Sequence, residues 1–259
     1  MWKGAAEPIG ARSGTFGAFL ARAGLTGPLT IFEGKHGYGK MVAGALDEKT
    51  LRKREGRFQI LKSCTKGWPC VFVAQAPIAA ALQIRRQGLR SEAIEKITVG
   101  LGDFGYKNQQ RFSKENISTR EDADHNVPYC VVRALLDGEV RWDHFEEQGF
   151  NDPRAIELMK RVGLRRDPKL RAFLPEIVGA NVKAKLRGGK TLFAEVPYPP
   201  GHCRNPLSDK ELVKKFLTLA SGAMDEDQAN RAVDMILNVE RLSNLAPLAD
   251  ALCVKPSTS

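Results

Sequence analysis

Cysteine is scarce in this sequence, and its spacing is not that of a metal site. The five cysteines, Cys64, Cys70, Cys130, Cys203 and Cys253, are scattered along the chain and form no C-x-x-C pair. The sequence also has no H-x-x-H pattern and no cluster of carboxylates and histidines at ligand spacing. These absences predict reduced thiols in a cytosol-like compartment, no zinc site, no catalytic metal and no cofactor.

Long apolar runs and a signal sequence are missing as well. No hydrophobic stretch approaches the length that crosses a bilayer, and the first residues, Met1-Trp2-Lys3-Gly4, do not begin a signal peptide. The composition is that of a soluble globular protein, with 42% hydrophobic residues and a mean hydropathy of −0.31. A length of 259 residues allows one large domain or two modest ones. We therefore expect a cytoplasmic protein without a membrane partner.

Acidic residues are outnumbered, and the basic excess would suit an anionic partner. Lys and Arg total 40 against 30 Asp and Glu, which gives a formal net charge of +10. Basic residues cluster at Arg52-Lys53-Arg54 and between Lys160 and Arg171, but aromatic residues are not interleaved with them. Because no nucleic-acid-binding motif accompanies them, a solvated basic surface is a better interpretation than a nucleic-acid site. A small polyanionic substrate is the third possibility.

One stretch combines a lysine with the start of a helix. Residues 66–75, Lys-Gly-Trp-Pro-Cys-Val-Phe-Val-Ala-Gln, join a basic, irregular run to an apolar helix expected over residues 76–87. An ammonium group beside a helix N-terminus attracts anions, because the first N–H groups of a helix are unpaired and partly positive. The alternative is an ordinary loop lysine in front of a helix.

Apolar periodicity predicts a mixed central part and a helical C-terminal part. Alternating apolar residues predict strands, with a hairpin turn at Gly188-Gly189. Helical periodicity and capping residues predict helices between and after the strands. The predicted strands cover residues 57–61, 94–101, 181–187 and 191–196, and the predicted helices cover 5–23, 76–87, 122–136 and 153–162, with two more after Ser208 and Asp225.

Several motifs, in the same order along the chain, resemble those of the MmgE/PrpD family. The segments at residues 1–4, 21–28 and 32–37 resemble the middle of that family's sequence. Further along, Lys66-x-x-Pro69 with Gln75 resembles its K-x-x-P segment, residues 121–138 resemble ADHSxPY…LLDG, and residues 201–208 resemble GHxxNPLS. The resemblance runs over nearly the whole chain and is closest to the 2-methylcitrate dehydratase-like branch.

The resemblance implies an α+β fold that covers only the C-terminal half or so of the family's usual length. Members have a large all-helical domain interrupted by a smaller α+β lid domain, with a pocket between the two. By this analogy residues 1–57 end the first helical part, 58–203 form the lid, and 204–259 are C-terminal helices that return to the helical domain. We expect the first helix to pack on material that this chain does not contain.

The same resemblance implies a hydro-lyase of the methylcitrate cycle in propionate catabolism, acting on a di- or tricarboxylate. Such a reaction needs cations that neutralise carboxylates and a group that moves a proton from carbon. By resemblance, Lys3 and Lys66 line the pocket and bind the substrate. His125 and Tyr129, four residues apart on one predicted helix, are expected to share a face toward the pocket and to be catalytic. A structural histidine and a core tyrosine are the alternatives.

Two departures from the family pattern qualify this expectation. Decarboxylase members carry a histidine five residues after the K-x-x-P lysine, where this chain has Val71. That difference argues against cis-aconitate decarboxylation; epimerisation is a further activity of the family. The acidic and histidine residues of the family's N-terminal half have no counterpart here. We therefore expect a lyase that is incomplete alone and forms a homodimer or a complex with a separate N-terminal half. A non-catalytic remnant that binds a partner through exposed helical stripes is the alternative, and a basic binding protein ranks last.

Overall fold

The chain divides into two compact units, residues 1–58 and 59–259. The computed structural model describes residues 3–44, 47, 58–110, 117–170 and 179–254. The basic cluster Arg52-Lys53-Arg54 lies outside these residues. Each unit is described separately below.

The described part of the first unit is dominated by helix α1 (Lys3–Arg22). This helix agrees with the prediction from apolar periodicity, and it ends where Gly24 adopts a φ of +97°, a conformation that glycine accepts without strain. Its larger apolar side chains are exposed, with Phe16 at 62% and Phe19 at 61%. A short π-helical segment, Gly39–Ala43, follows after a series of turns.

The second unit combines a sheet with helices and is of mixed α and β class. Among its described residues, the strands are β1 (Ile94–Leu101), β2 (Val162–Arg166), β3 (Ala180–Leu186) and β4 (Thr191–Val196). The α-helices are α2 (Gln75–Arg86), α3 (Asp103–Gln109), α4 (Arg120–His125), α5 (Val127–Asp137), α6 (Glu147–Phe150), α7 (Pro153–Met159), α8 (Asp209–Ala220), α9 (Glu226–Leu237) and α10 (Ala246–Leu252).

The four described strands form one sheet in the order β2-β1-β3-β4. Strand β1 pairs parallel with β2 and antiparallel with β3, so that Val99 lies opposite Leu164 on one side and Val182 on the other. Strands β3 and β4 form the predicted hairpin, with Gly188 and Gly189 at positive φ in the turn. The alternation of buried and exposed residues along β3 and β4 shows that one face of the hairpin is packed and the other open.

Helices α2 and α5 form the core against the packed face of the sheet. Helix α2 contacts β3, β4 and α5, and its Ile78 and Ile84 are fully buried. The guanidinium of Arg85 on α2 donates to the carbonyl oxygen of Leu136 at 2.7 Å, near the end of α5. This bond satisfies one of the carbonyl groups that a helix terminus leaves unpaired, and it ties the two core helices together.

Two sequence predictions are wrong in this unit, and one strand was not predicted. The helix expected over residues 122–136 is two helices, because Asn126 adopts an extended conformation between α4 and α5. A continuous helix would also place the ring of Pro128 against the Asp124 carbonyl group. The strand expected at 57–61 is instead a 3-10 turn at Gln59–Lys62. Strand β2 was missed because its basic residues give no apolar alternation.

The C-terminal helices begin at the predicted caps. The Ser208 hydroxyl oxygen accepts from the Glu211 N–H while the Glu211 carboxylate accepts from the Ser208 N–H, a capping box that opens α8. The Asp225 carboxylate caps α9 by accepting from the Gln228 N–H at 2.7 Å. None of the helices that the structure describes is long and apolar enough to cross a membrane.

Candidate functional site

A single buried amide holds the loop of the K-x-x-P segment. Gln75, the first residue of α2, is buried, and its Oε1 accepts a hydrogen bond from the Trp68 backbone N–H at 3.0 Å. Its Nε2 donates to the Trp68 carbonyl oxygen at 3.1 Å. The side-chain oxygen and nitrogen of Gln75 thus both bind the backbone of Trp68, which fixes the conformation of the loop between Lys66 and the start of α2.

The GHxxNPLS segment packs directly against this loop. The Thr65 N–H donates to the Gly201 carbonyl oxygen at 2.7 Å, and the Gly201 N–H donates to the Asn205 carbonyl oxygen at 2.8 Å. Gly201 has a φ of +87°, and a Cβ atom there would lie 1.8 Å from the Thr65 carbonyl oxygen. Only glycine therefore permits the contact between the two segments.

The end of helix α4 brings His125 to the same loop. The Val71 N–H donates to the Asp124 carbonyl oxygen at 2.9 Å, which joins the K-x-x-P loop to the last turn of α4. The side chain of His125 is 26% exposed, and its Nδ1 contacts the Asp124 carboxylate and, at 3.1 Å, the Glu121 carbonyl oxygen. These partners orient the imidazole, because they fix which ring nitrogen faces the protein.

A second buried amide stabilises the break that follows His125. Gln109 on α3 is buried, and its Nε2 donates to the His125 carbonyl oxygen at 2.9 Å. Its Oε1 accepts from the Val127 N–H at 2.8 Å, and the Asn126 side chain accepts from the Tyr129 N–H at 3.1 Å. Sequence reasoning missed this role of Gln109, although Asn126 followed closely by Pro128 is a recognisable helix start.

Tyr129 lies in the core and does not share a face with His125. Its side chain is fully buried, its hydroxyl donates to the His144 carbonyl oxygen, and its ring meets Phe145 edge-on with centroids 6.1 Å apart. Burial raises the pKa of Tyr129 above its ordinary value. The expected shared face is wrong because the two residues lie on different helices, and a catalytic role for Tyr129 stays a prediction.

Lys215 on α8 joins Lys66 at the loop, and sequence reasoning missed it. The Lys215 ammonium donates to the Lys66 carbonyl oxygen at 2.6 Å. Partial burial and then repulsion from the Lys66 ammonium lower the pKa of Lys215. Among the residues that the structure describes, neither lysine forms an ion pair with a carboxylate. The Lys215 ammonium therefore lies on the loop that carries Lys66, and the two cations repel each other, as expected of a site that takes an anion.

The other predicted substrate ligand, Lys3, lies at the start of α1 in the first unit. Its side chain is not among those that the structure describes. A shared pocket for Lys3 and Lys66 therefore stays a prediction.

Comparison with known families identifies a match over most of the second unit. The family model described as the MmgE/PrpD C-terminal domain matches residues 68–241. The match begins two residues after Lys66 and includes Gln75, His125 and Lys215.

Several curated proteins are similar to the chain along nearly all of its length. Cis-aconitate decarboxylase of Mus musculus is 25% identical over 93% of this chain and 50% of its own length. The protein of the same name from Homo sapiens is 27% identical over 93% of this chain and 51% of its own length. A cis-aconitate decarboxylase-like protein of Aspergillus oryzae is 23% identical over 96% and 54%. The chain thus spans about half the length of the curated relatives it matches.

Proposed function

The chain belongs to the MmgE/PrpD family, and from that premise we propose that it is the C-terminal part of a hydro-lyase of the 2-methylcitrate dehydratase type. Its substrate is a di- or tricarboxylate. The observation that carries the proposal is the contact of the Lys215 ammonium with the Lys66 backbone, where the two lysine charges also interact. The loop that carries Lys66 is joined by a backbone hydrogen bond to the helix end that bears His125.

The lysine pair binds a substrate carboxylate. Two ammonium groups repel each other across an empty site, and a carboxylate between them removes that repulsion. Lys215 uses one of its three donors on the Lys66 carbonyl oxygen, which leaves two for the ligand. Each charge-assisted hydrogen bond contributes about 1.5–3 kcal/mol net. Lys3 is the third cation of this proposal and joins the pocket from the helical domain.

His125 moves the proton. Dehydration removes a proton from the carbon next to a carboxylate and delivers one to the departing hydroxyl group, and histidine is the side chain best suited to exchange protons near neutral pH. The Asp124 carboxylate at Nδ1 orients the ring. The catalytic role predicted for Tyr129 is not needed by this proposal, since its buried hydroxyl donates to the His144 carbonyl oxygen.

Decarboxylation of cis-aconitate is the second candidate, and the names of the relatives favour it. The side chain of Val71 supports dehydration instead. It packs against the hydrophobic core, and its backbone N–H is bonded to Asp124, so position 71 supplies neither a proton nor a charge to the site. Epimerisation is the remaining activity of the family and has no observation in its favour.

The complete site also needs the length that the relatives have and this chain lacks. We propose that this part comes from a longer chain, from a homodimer partner or from a separately encoded N-terminal half. We also propose that this chain has the family's arrangement, in which an α+β lid domain interrupts a helical domain. A non-catalytic remnant is the alternative. Neither nucleic acid nor a membrane is a proposed partner.

The test is to assay the chain alone and mixed with a separately expressed N-terminal half of a family member. Dehydration of 2-methylcitrate or citrate is followed by the ultraviolet absorbance of the carbon–carbon double bond that forms in the product. Decarboxylation is followed by release of carbon dioxide from cis-aconitate. We expect double-bond formation only in the mixture, lost in Lys66→Ala, Lys215→Ala and His125→Ala. Lys214→Ala, next to Lys215 on the same helix, is the matched control and should retain activity.

Three outcomes would contradict the proposal. Carbon dioxide release without double-bond formation would favour the second candidate. Failure of the two halves to associate would favour the remnant. Equal losses in Lys214→Ala and Lys215→Ala would show that the effect is one of general charge.

A further inference from the structure

The contact between the K-x-x-P loop and the GHxxNPLS segment gathers three side chains that the proposed reaction does not use. Cys64, His202 and Cys203 each bring one potential ligand atom, and these atoms all lie within 4.8 Å of one another. Both cysteines are free thiols and partly exposed, whereas His202 is 1% exposed. The cluster is therefore open on the thiol side and closed on the imidazole side.

The backbone around the cluster is fixed by the fold. The bond from Thr65 to Gly201 sets Cys64 against the turn that carries His202 and Cys203. His202 pairs with Asn205 across that turn, and its N–H donates to the Pro199 carbonyl oxygen at 3.0 Å. The three ligand atoms thus lie on two segments held in register by backbone hydrogen bonds, as a preformed site requires.

The donor set and its spacing fit a soft or borderline metal ion. Thiolate and imidazole are the preferred ligands of zinc, with bonds of about 2.3 Å to sulfur and about 2.0 Å to nitrogen. In a tetrahedron of those bond lengths, neighbouring ligand atoms are about 3.5–3.8 Å apart. The Cys203 sulfur lies 3.7 Å from His202 Nδ1, which is within that range.

The His202 ring nitrogen that faces the cluster is Nδ1, which lies 3.7 Å from the Cys203 sulfur. The same nitrogen accepts from the Arg204 N–H at 3.1 Å, so the neutral ring carries its proton on the buried Nε2. Metal binding at Nδ1 therefore replaces that hydrogen bond and leaves the proton on Nε2.

We propose that Cys64, His202 and Cys203 form a zinc-binding site with a fourth position open to water. On binding, each thiol loses its proton to solvent and forms a Zn–S bond, so two thiolates balance the charge of the Zn²⁺ ion. Nδ1 of His202 supplies the third bond and gives up its hydrogen bond from the Arg204 N–H. The site is structural with respect to the proposed reaction, because it fastens the loop two residues before Lys66 to the GHxxNPLS segment.

This inference departs from the expectation of no zinc site, which rested on local spacing alone. Cys64 lies far from the other two ligands in sequence, so no spacing motif could reveal the cluster. Because a thiol must lose its proton to bind the metal, uptake of the metal should become stronger as pH rises.

The first experiment titrates the reduced, metal-stripped chain with Co²⁺ and then with Zn²⁺, in a phosphine reductant that does not bind metal. We expect one Co²⁺ per chain, with sulfur-to-cobalt charge-transfer absorption and tetrahedral visible bands, and complete displacement by Zn²⁺. Cys64→Ser and Cys203→Ser should each weaken Zn²⁺ binding about tenfold or more. Cys253→Ser, an exposed cysteine elsewhere in the unit, is the matched control and should leave binding unchanged.

A second measurement on the unaltered chain does not depend on the folding of a variant. Zn²⁺ should slow alkylation of Cys64 and Cys203 but not of Cys253, as mapped by mass spectrometry. Octahedral cobalt spectra without charge-transfer bands, or equal alkylation with and without Zn²⁺, would overturn the proposal. Rapid formation of a Cys64–Cys203 disulfide under air that Zn²⁺ does not slow would also overturn it, since the pair would then be a redox pair.

Discussion

Two regions of the second unit differ in how completely they bury their apolar residues. In the sheet and helices α2 and α5, most large apolar side chains are buried, and Ile78, Ile84 and Leu135 are fully so. In the C-terminal helices α8, α9 and α10, the buried side chains are alanines, while Leu219 is 51% and Leu237 is 55% exposed. The first region is a closed core, and the second presents an open apolar surface.

This difference shows that local sequence determines where a helix begins, whereas tertiary packing determines whether its apolar side is buried. The C-terminal helices have strong local signals, since Ser208 and Asp225 cap two of them in the predicted manner. Caps define where a helix starts, but they do not provide a surface to pack on. Large exposed apolar surfaces are often interaction sites in soluble proteins. They suit the proposal that further chain or a partner completes the helical domain.

The largest expected effect tests the contrast directly with one residue type. Leu135→Ala on α5 removes a fully buried side chain from the closed core and should lower the free energy of unfolding by about 2–5 kcal/mol. Leu219→Ala on α8 removes an exposed one and should cost less than about 1 kcal/mol. Urea unfolding of both variants gives the two values. If they lose equal stability, the C-terminal helices are packed as tightly as the core and the contrast fails.

The next effect concerns the polar network that links α5 to α7. The Asp152 carboxylate accepts from the buried Arg133 guanidinium at 2.8 Å and from the Arg154 N–H at 2.9 Å, which caps α7. Hydrogen bonds from Arg154 and then Arg133 hold the pKa of Asp152 well below its ordinary value. Asp152→Asn leaves Arg133 poorly paired and should cost about 1–3 kcal/mol at neutral pH.

The pH dependence of Asp152 gives a second readout of the same network. Its pKa is lower in the folded than in the unfolded state, so its stabilisation is complete above the unfolded value of about 3.9 and is lost as pH falls below it. The variant should therefore lose less stability on acidification than the unaltered chain. Asp143→Asn, which breaks a surface pair with Arg141, is the control and should cost only about 0–1 kcal/mol. Parallel acid-unfolding curves for Asp152→Asn and the unaltered chain would argue against the assignment.

A smaller effect is expected near pH 6 from the buried His144. Burial, then the Arg133 and Arg141 cations, lower the pKa of His144, against the opposing carboxylates of Asp137 and Asp143. The unfolded chain therefore binds a proton more readily, so stability is present above the unfolded pKa of about 6.5 and declines as pH falls through the range below it. His144→Gln should reduce the slope of stability between pH 7 and 5. An unchanged slope, measured by urea unfolding at several pH values, would exclude His144 as its source.

Local patterns predicted several of the regular elements, missed strand β2 and helices α3 and α10, and did not reveal the joints between elements. The alternation of β1 and of the hairpin, and the caps of α7, α8 and α9, were readable because neighbouring residues carry them. The break at Asn126 was not recognised, since apolar residues at helical spacing, Ala123 and Val127, lie on both sides of it. Its stabilisation by Gln109 depends on a contact between separate elements.

The candidate site shows the same division between local and distant information. Resemblance identified Lys66 and His125, and the structure joins their segments through the bond from Val71 to Asp124. Lys215 was missed because it is 149 positions from Lys66 in sequence. The Cys64 cluster was missed for the same reason. Contacts between distant segments carry no local pattern, so only a structure reveals them.

The smallest expected effect lies where the two regions meet, at the contact between Lys66 and Lys215. Citrate should raise the melting temperature more than sulfate at equal ionic strength, because only a polycarboxylate can engage several cations of one pocket. At a concentration a few times its Kd, citrate should stabilise the chain by under about 1 kcal/mol.

Lys66→Ala and Lys215→Ala should each reduce this shift in melting temperature, and Lys3→Ala should do so if its side chain reaches the same pocket. Lys214→Ala is the control on α8, and Lys53→Ala is the control for the basic cluster, which lies outside the described residues. Neither should reduce the shift if the lysine pair binds the anion. If citrate and sulfate stabilise the chain equally, or if either control matters as much as Lys66→Ala, the lysine pair is not a carboxylate site. The basic charge of the chain would then bind anions without selectivity.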